Sequence, residues 1–312
     1  RKFYGDGKNH VITSLVEHKA TLNTCKYLNG ELYSNNDPTI SLFGEKKRVN
    51  RGFEASFVGV TPNGEINIED IALKIKENTA LVSILYVNNE IGTISDVEAV
   101  SALCRNNNIA FHSDLTQALG KMQIDIKKMG IDYASCSAHK IYGPKGIGAA
   151  FMKFDAYGIA PITALMHGGE QEFGFRAGTH AVHNIVGFGK AAEIALRDLK
   201  KNEVHIKRLD EMLLKGIATI DNIHTTVDSS KRVPGIISLV VDKSDFHNER
   251  FIKKISNEVA LSTGSACSAG EPSYVIQALG LGEKVNKVLR VSINKYTTKD
   301  DITSFLELLR SI

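Results

Sequence analysis

The chain has 312 residues, 43% of them hydrophobic and 23% charged, with a formal net charge of +3. This is ordinary globular composition with material for about two domains; so small a charge gives no argument for a nucleic-acid or membrane partner, and no apolar run is long enough to span a bilayer. The four cysteines, Cys25, Cys104, Cys136 and Cys267, form no Cys-x-x-Cys pair, so neither a disulfide framework nor a zinc site is indicated, and a reducing, cytoplasmic setting is expected.

The chain opens on Arg1 rather than Met, and its first nine residues read as a helix end followed by an Asp-Gly-Lys-Asn turn. It is therefore expected to begin inside a domain. A short buried strand is predicted at residues 10–14 and a helix at about 19–28. Residues 29–51, which include the basic cluster Lys46, Lys47 and Arg48, read as a long surface excursion whose charges keep it solvated.

From Phe53 the alternation is regular. Strands are predicted at 57–60, at 80–87 as a near-continuous apolar run, at 109–113 and at 132–137. Helices are predicted within 65–78 and over 95–106, the latter with Ser95 as N-cap and Glu98 completing a capping box. Continuous apolar strands alternating with helices predict an α/β fold whose mostly parallel sheet is covered on both faces. Farther on, a long helix over about 181–214 bridges to a smaller α+β unit. That unit has strands at 235–241 and 289–293, a helix at 248–258 and a final helix after Thr298, with Asp301 as a shortened capping pair. The expected division is a large domain over 1–196 and a small domain over 197–312.

In such sheets a ligand sits beyond the carboxyl ends of the strands, so the polar residues just past each strand should converge. They are His18 after the first strand, Asn88, Asn89 and Glu90 after the 80–87 run, Asp114 with Gln117 after 109–113, and His139 with Lys140 after 132–137. Lys140 follows Ser137 and His139 at a strand end and precedes the loop Gly143-Pro-Lys-Gly-Ile-Gly148. Such a lysine can present a neutral amine for Schiff-base chemistry, its pKa lowered by burial or a nearby positive charge. A stacking imidazole, an amide, a carboxylate and an amine are the parts that pyridoxal phosphate needs: Asp114 would keep the pyridine nitrogen protonated and Gln117 would donate to the ring's phenolate oxygen. Taken singly, His18 also suits a helix start and Asp114 an N-cap.

Four stretches together carry a resemblance: 87–93, His112-Ser-Asp-Leu-Thr-Gln117, 137–148 and Gly264-Ser-Ala-Cys-Ser-Ala-Gly-Glu-Pro-Ser-Tyr274. From about His10 to the C-terminus the chain resembles the cysteine desulfurases of the class V aminotransferase family, in the iron–sulfur and nitrogen-fixation branch. The resemblance implies a homodimeric fold type I pyridoxal-phosphate enzyme that takes L-cysteine and passes sulfur to an acceptor protein. It implies that Lys140 holds the cofactor covalently, that His18 stacks on the ring and is the acid–base candidate, and that Asp114 pairs with the ring nitrogen. Asn89 and Gln117 would contact cofactor and substrate, Ser137 and His139 the phosphate, and Arg290 the substrate carboxylate, a role that its two-pronged guanidinium suits. The stretch 166–179 matches the family's dimer-interface segment, from which Thr179 would reach the partner subunit's phosphate site.

Cys25 and Cys104 fall in helical patterns and Cys136 in an apolar strand, where a cysteine is usually a small hydrophobe. Cys267 instead lies among small residues with no packing pattern, where a thiolate can attack and carry a product away. By resemblance it attacks the sulfur of substrate cysteine, leaving alanine and a persulfide on Cys267.

Two departures from the family stand out. Three residues separate Cys267 from Glu271, fewer than is usual in that branch, so the loop is expected to reach less far. No Gly-and-Thr turn at a helix N-terminus, a natural phosphate site, precedes His18, so the chain is expected to be part of a longer protein. Two other readings stay open. One is a different fold type I enzyme, such as a small-amino-acid aminotransferase or selenocysteine lyase, which would not need Cys267. The other is a non-catalytic sulfur-pathway scaffold.

Overall fold

The computed structural model describes residues 7–31, 51–158, 162–264 and 272–312. The excursion expected at 29–51 and the cysteine at 267 thus fall largely or wholly outside the described residues.

Two sheets organise the chain. The first is six-stranded: β1 (His10–Ser14), β2 (Glu54–Val58), β3 (Thr79–Ser83), β4 (Ala110–Asp114), β5 (Tyr133–Ser137) and β6 (Gly148–Met152) stand in the order β2-β1-β3-β4-β5-β6. The first five are parallel and β6 runs antiparallel to β5. The helices α1 (Lys19–Leu28), α2 (Ile68–Lys74), α3 (Val97–Asn106) and the single turn α4 (Ile126–Met129) lie between these strands in the chain. Because parallel strands need crossovers, both sheet faces are covered, and the apolar strand residues Ile12, Val82 and Phe111 are fully buried in one core with Ile71 of α2 and Val97 and Val100 of α3.

Helix α5 (Val182–Ile217) runs unbroken for 36 residues and leads to the second sheet. There β7 (Ile223–Thr225), β8 (Ile236–Val241) and β9 (Val288–Ser292) are antiparallel in that order. Helices α6 (Asn248–Lys254), α7 (Tyr274–Ala278) and α8 (Lys299–Arg310) complete the unit. The last turns of α5 (Leu209, Leu213, Ile217) pack with Phe305 and Leu309 of α8 and with the strand residues Ile237, Leu239 and Leu289 in a core of their own. A third cluster joins the two halves through Val16, Leu85 and Ile91 on one side and Val240, Val275, Ile276 and Val288 on the other.

Several predicted ends move. β2 lies at Glu54–Val58 rather than 57–60, and β3 ends at Ser83, beyond which Ile84 N and Tyr86 N still donate to His112 O and Asp114 O of β4 before Val87 bridges to Ile94. Asn67 caps α2, accepting from Glu69 N, so that helix starts later and is shorter than the 65–78 window. Asp96, not Ser95, caps α3, accepting from Ala99 N, while the Ser95 N–H is taken by Tyr86 O. α6 ends at Lys254 instead of 258. The capping pair Thr298–Asp301 forms in both directions at the start of α8.

Candidate active site

The carboxyl ends of the parallel strands open on a cavity of about 400 Å³ whose walls include His18, Asn89, Asp114, Gln117, Ser137, His139, Lys140 and Arg290. Eight residues singled out in the sequence therefore meet at one place, delivered by the turns at the strand ends of the first sheet and by β9 of the second.

His18 is the N-cap of α1, and its Nδ1 accepts from Ala20 N at 3.2 Å. With Nδ1 occupied as an acceptor, the neutral ring carries its proton on Nε2. The residue before it, Glu17, is fully buried. Its Oε1 accepts from Ser14 Oγ at 2.7 Å and from Leu85 N at 3.0 Å, which ties the end of β1 to the chain beyond β3. Burial first, with the Asp114 charge a lesser contribution, pushes this carboxyl up to about 8.

Asn89 sits in a turn fixed by its neighbour. Asn88 Oδ1 accepts from Glu90 N at 2.8 Å and Ile91 N at 3.0 Å, while Asn88 Nδ2 donates to Val16 O at 2.9 Å. The turn closes at Gly92, whose φ of +75° and 2.7 Å separation from Ile236 O at the position a Cβ would take leave room for glycine alone. Arg290, on β9, reaches across and donates from Nη1 to Asn89 O at 3.3 Å. Among the described residues, Asn89 Oδ1 and Arg290 Nε are buried polar atoms with no partner in the chain. Such atoms are costly unless a ligand or water satisfies them.

Asp114 ends β4, and its Oδ1 accepts from Thr116 N at 2.8 Å. Beside it His112 stands between Ser83 Oγ (2.8 Å from Nδ1) and Ser135 Oγ (3.1 Å from Nε2). Burial holds this imidazole below its ordinary value, with Asp114 opposing. Ser137 ends β5 with no cap bond from its side chain, and His139 and Lys140 follow in a 3-10 turn spanning Ala138–Ile141. His139 is held low by partial burial and by the charges of Lys140, Lys145 and His18. That end of the cavity is a cluster of donors and cations, the surroundings a phosphate dianion requires.

Lys140 itself is exposed in the described chain, so the burial expected around it is not supplied by these residues. The nearby positive charge is: Lys121 is pushed down to about 8 by burial, then by Lys140 and Arg290. Lys121 lines a second cavity of about 220 Å³, which shares Asn89, Gln117, Lys140 and Arg290 with the first. Lys121, Glu17 and His112 were not singled out as acting residues in the sequence; their adjacency to Gln117, His18 and Asp114, at four or fewer residues, was the available signal. Asn88 and Glu90, expected to converge with Asn89, are buried and lie outside the cavity walls.

Thr179 lies exposed before α5, outside the walls of this cavity. Cys136 is half-buried and lines the cavity, with Sγ 3.7 Å from Ala149 O, so it is not the packed strand residue that its pattern predicts. Cys25 and Cys104 are buried, their thiols pushed up to about 11 and about 12 by burial. Cys267 is outside the described residues, but both flanks of its segment are placed. Ser262 bridges to Arg290, and Ser273 Oγ donates to Glu90 Oε2 at 2.6 Å. Among the described residues no group of three histidine, cysteine or acidic side chains is arranged to hold a metal, and no helix is long and apolar enough to cross a membrane.

Residues 43–305 match the family described as Aminotransferase class-V. The chain belongs to the class-V aminotransferases. It is 39% identical over 312 residues to the cysteine desulfurase IscS of Ruthia magnifica subsp. Calyptogena magnifica, covering 99% of this chain and 71% of that one. Among solved structures, a NifS-like protein superposes with a TM-score of 0.83 at 30% identity, covering 99% of this chain and 76% of the other. A structure of SspA in complex with cysteine matches with a TM-score of 0.73 at 30% identity over 95% of this chain and 76% of the other. The fold is that of the fold type I pyridoxal-phosphate transferases, an α/β architecture built on a mostly parallel sheet.

Proposed function

We propose that the chain is a pyridoxal-phosphate-dependent cysteine desulfurase, converting L-cysteine to L-alanine with transfer of sulfur to Cys267. The observation that carries this reading is the convergence of Asp114, Gln117, Ser137, His139 and Lys140 on one cavity beside Arg290, in a chain whose relatives include cysteine desulfurases. The donor set fits the cofactor: Ser137 and His139 offer donors to its phosphate end, Asp114 a carboxylate for its ring nitrogen, and Lys140 the amine that holds it. Bound there, the cofactor supplies an electron sink for bonds at the substrate α-carbon.

The chain's own groups supply the rest. Arg290 clamps the substrate carboxylate with the Nε that has no partner in the chain, and Asn89 Oδ1, also orphaned, faces the same ligand. His18 moves a proton at Nε2, the nitrogen left free by its cap bond. In the net reaction the carbon–sulfur bond of cysteine breaks, a sulfur–sulfur bond forms at Cys267, and the carbon takes up a proton. Alanine and a persulfide result, with no outside oxidant.

The persulfide then passes to an acceptor protein, as iron–sulfur cluster assembly requires. The working unit is a homodimer, a reading supported by the apolar residues Leu165, Phe173, Val182 and Val186, 92%, 96%, 64% and 66% exposed, around the segment that carries Thr179. Thr179 would serve the partner's phosphate site. The free thiols Cys25, Cys104 and Cys136 suit a reducing cytoplasm, and the two units divide near residue 197, within α5.

The test is the visible absorption of purified protein with pyridoxal phosphate, followed by alanine and sulfide release from L-cysteine. A cofactor band together with stoichiometric alanine supports the assignment. A band without alanine makes the chain another enzyme of the same fold, and no band makes it a scaffold.

A further inference from the structure

We infer that Lys121 is a positioning residue: its ammonium holds the side-chain amide of Gln117 in the one orientation that turns the NH₂ toward the cofactor cavity. The inference rests on the reading of that cavity as the pyridoxal-phosphate site.

Gln117 lines both cavities, and Lys121 lines the smaller one behind it. Lys121 Nζ donates to Gln117 Oε1. A glutamine amide is symmetric in shape but not in chemistry: one end only accepts and the other only donates. An ammonium has donors alone, so it can meet only the Oε1 end, and the NH₂ is left for the other side. On that side is Asp114, which lines the cofactor cavity and not the smaller one, and there the cofactor's ring oxygen needs a donor. Without Lys121, the amide can rotate by half a turn and offer oxygen to oxygen.

The backbone places the lysine for this task. Gly120, immediately before it, has φ of +72°, and a Cβ there would stand 2.7 Å from Ile141 Cγ2. Glycine thus lets the chain turn sharply between Gln117 and Lys121 and lie against the residue after Lys140. Burial and the charges of Lys140 and Arg290 lower Lys121 to about 8, so at pH 7 it is still an ammonium. No carboxylate is among the residues lining either cavity near it except Asp114, so its clearest polar contact is the amide.

A double-mutant cycle at pH 7 tests this, with the dissociation constant of pyridoxal phosphate and the absorption maximum of the bound cofactor as readouts. Lys121→Met should weaken cofactor binding by about tenfold or more, as expected for losing one hydrogen bond to a charged oxygen, and should shift the band. Gln117→Ala should do the same, and adding Lys121→Met to Gln117→Ala should change neither readout further. Lys121→Arg, which keeps a donor-only cation, should restore both. Equal effects of Lys121→Met with and without Gln117, in variants that melt like the parent, would mean the charge acts directly on the cofactor and would overturn the inference alone. A parent protein that takes up no cofactor would overturn the cofactor reading, and this inference with it.

Discussion

Ser273 Oγ donates to Glu90 Oε2 at 2.6 Å, joining residues 183 positions apart. The next residue repeats the tie, Tyr274 Oη donating to Glu17 O at 2.7 Å. Glu90 directly follows Asn89 and Glu17 directly precedes His18, so the start of α7 is fastened to the carboxylate of one neighbour of the site and to the backbone carbonyl of another. Cys267 lies six positions before Ser273 in the chain.

Ser273 also caps α7, its Oγ accepting from Ile276 N at 3.2 Å. Ser273→Ala therefore removes a cap and strips a donor from a carboxylate that is 2% exposed. The expected loss is about 1–3 kcal/mol of unfolding free energy, measurable by urea titration. Alanine release from cysteine should fall more than cofactor affinity, because the change lies beside the cysteine segment rather than beside Lys140.

Glu17 gives a pH signature. Its folded value, raised to about 8 from 4.5, means that the folded chain keeps a proton the unfolded chain has lost between those values. Its contribution to stability is complete below pH 4.5 and is lost as pH rises through about 8. Glu17→Gln keeps an oxygen for Ser14 and Leu85 without the ionisation. Relative to that variant, the parent should lose up to about 3 kcal/mol between pH 5 and 7.5. Parallel stability curves for the two proteins would show that Glu17 does not titrate abnormally.

Arg232 and Asp210 form a bidentate pair at 2.9 and 2.7 Å, with side chains 1% and 7% exposed, and Asp210 Oδ1 also accepts from Gly235 N at 2.7 Å. Removing one member leaves a buried uncompensated charge. Arg232→Ala or Asp210→Ala should each cost about 3–5 kcal/mol, read as the denaturation midpoint at constant slope. A cost below 1 kcal/mol for either would show that water reaches the pair.

Asp114→Asn should leave cofactor uptake intact and lower turnover by about tenfold to a hundredfold, the worth of one charged hydrogen bond to the ring nitrogen. Lys140→Ala should abolish fixation of the cofactor to the chain by borohydride. Turnover in Asp114→Asn equal to the parent's would assign the ring nitrogen to another group.

Much of this was legible because strands announce themselves by continuous apolar runs and the residues just past them carry the chemistry. That pattern led to His18, Asn89, Asp114, Gln117, Ser137, His139 and Lys140, and the structure brings all seven to one cavity. Arg290 came from resemblance, since nothing in its strand's alternation says that β9 faces the other half of the chain. Boundaries fared worse where two capping residues competed. Ser95 and Asp96 are both good caps; Asp96 takes the role, and the Ser95 N–H that a capping box would offer to Glu98 goes instead to Tyr86 O. β6 is hidden because glycine and alanine dominate Gly148–Met152 and, among the described residues, it pairs with β5 alone. The amide partner Lys121 was equally hidden: a lysine after a glycine reads as a surface turn until the fold places it behind Gln117.

Cys267→Ser tests the desulfurase assignment most directly. The thiolate is needed only to take sulfur from cysteine, so the variant should bind pyridoxal phosphate with the parent's absorption spectrum and affinity and should release no alanine from L-cysteine. Alanine release by Cys267→Ser at the parent's rate would contradict the account, and would leave a fold type I enzyme that acts without this cysteine.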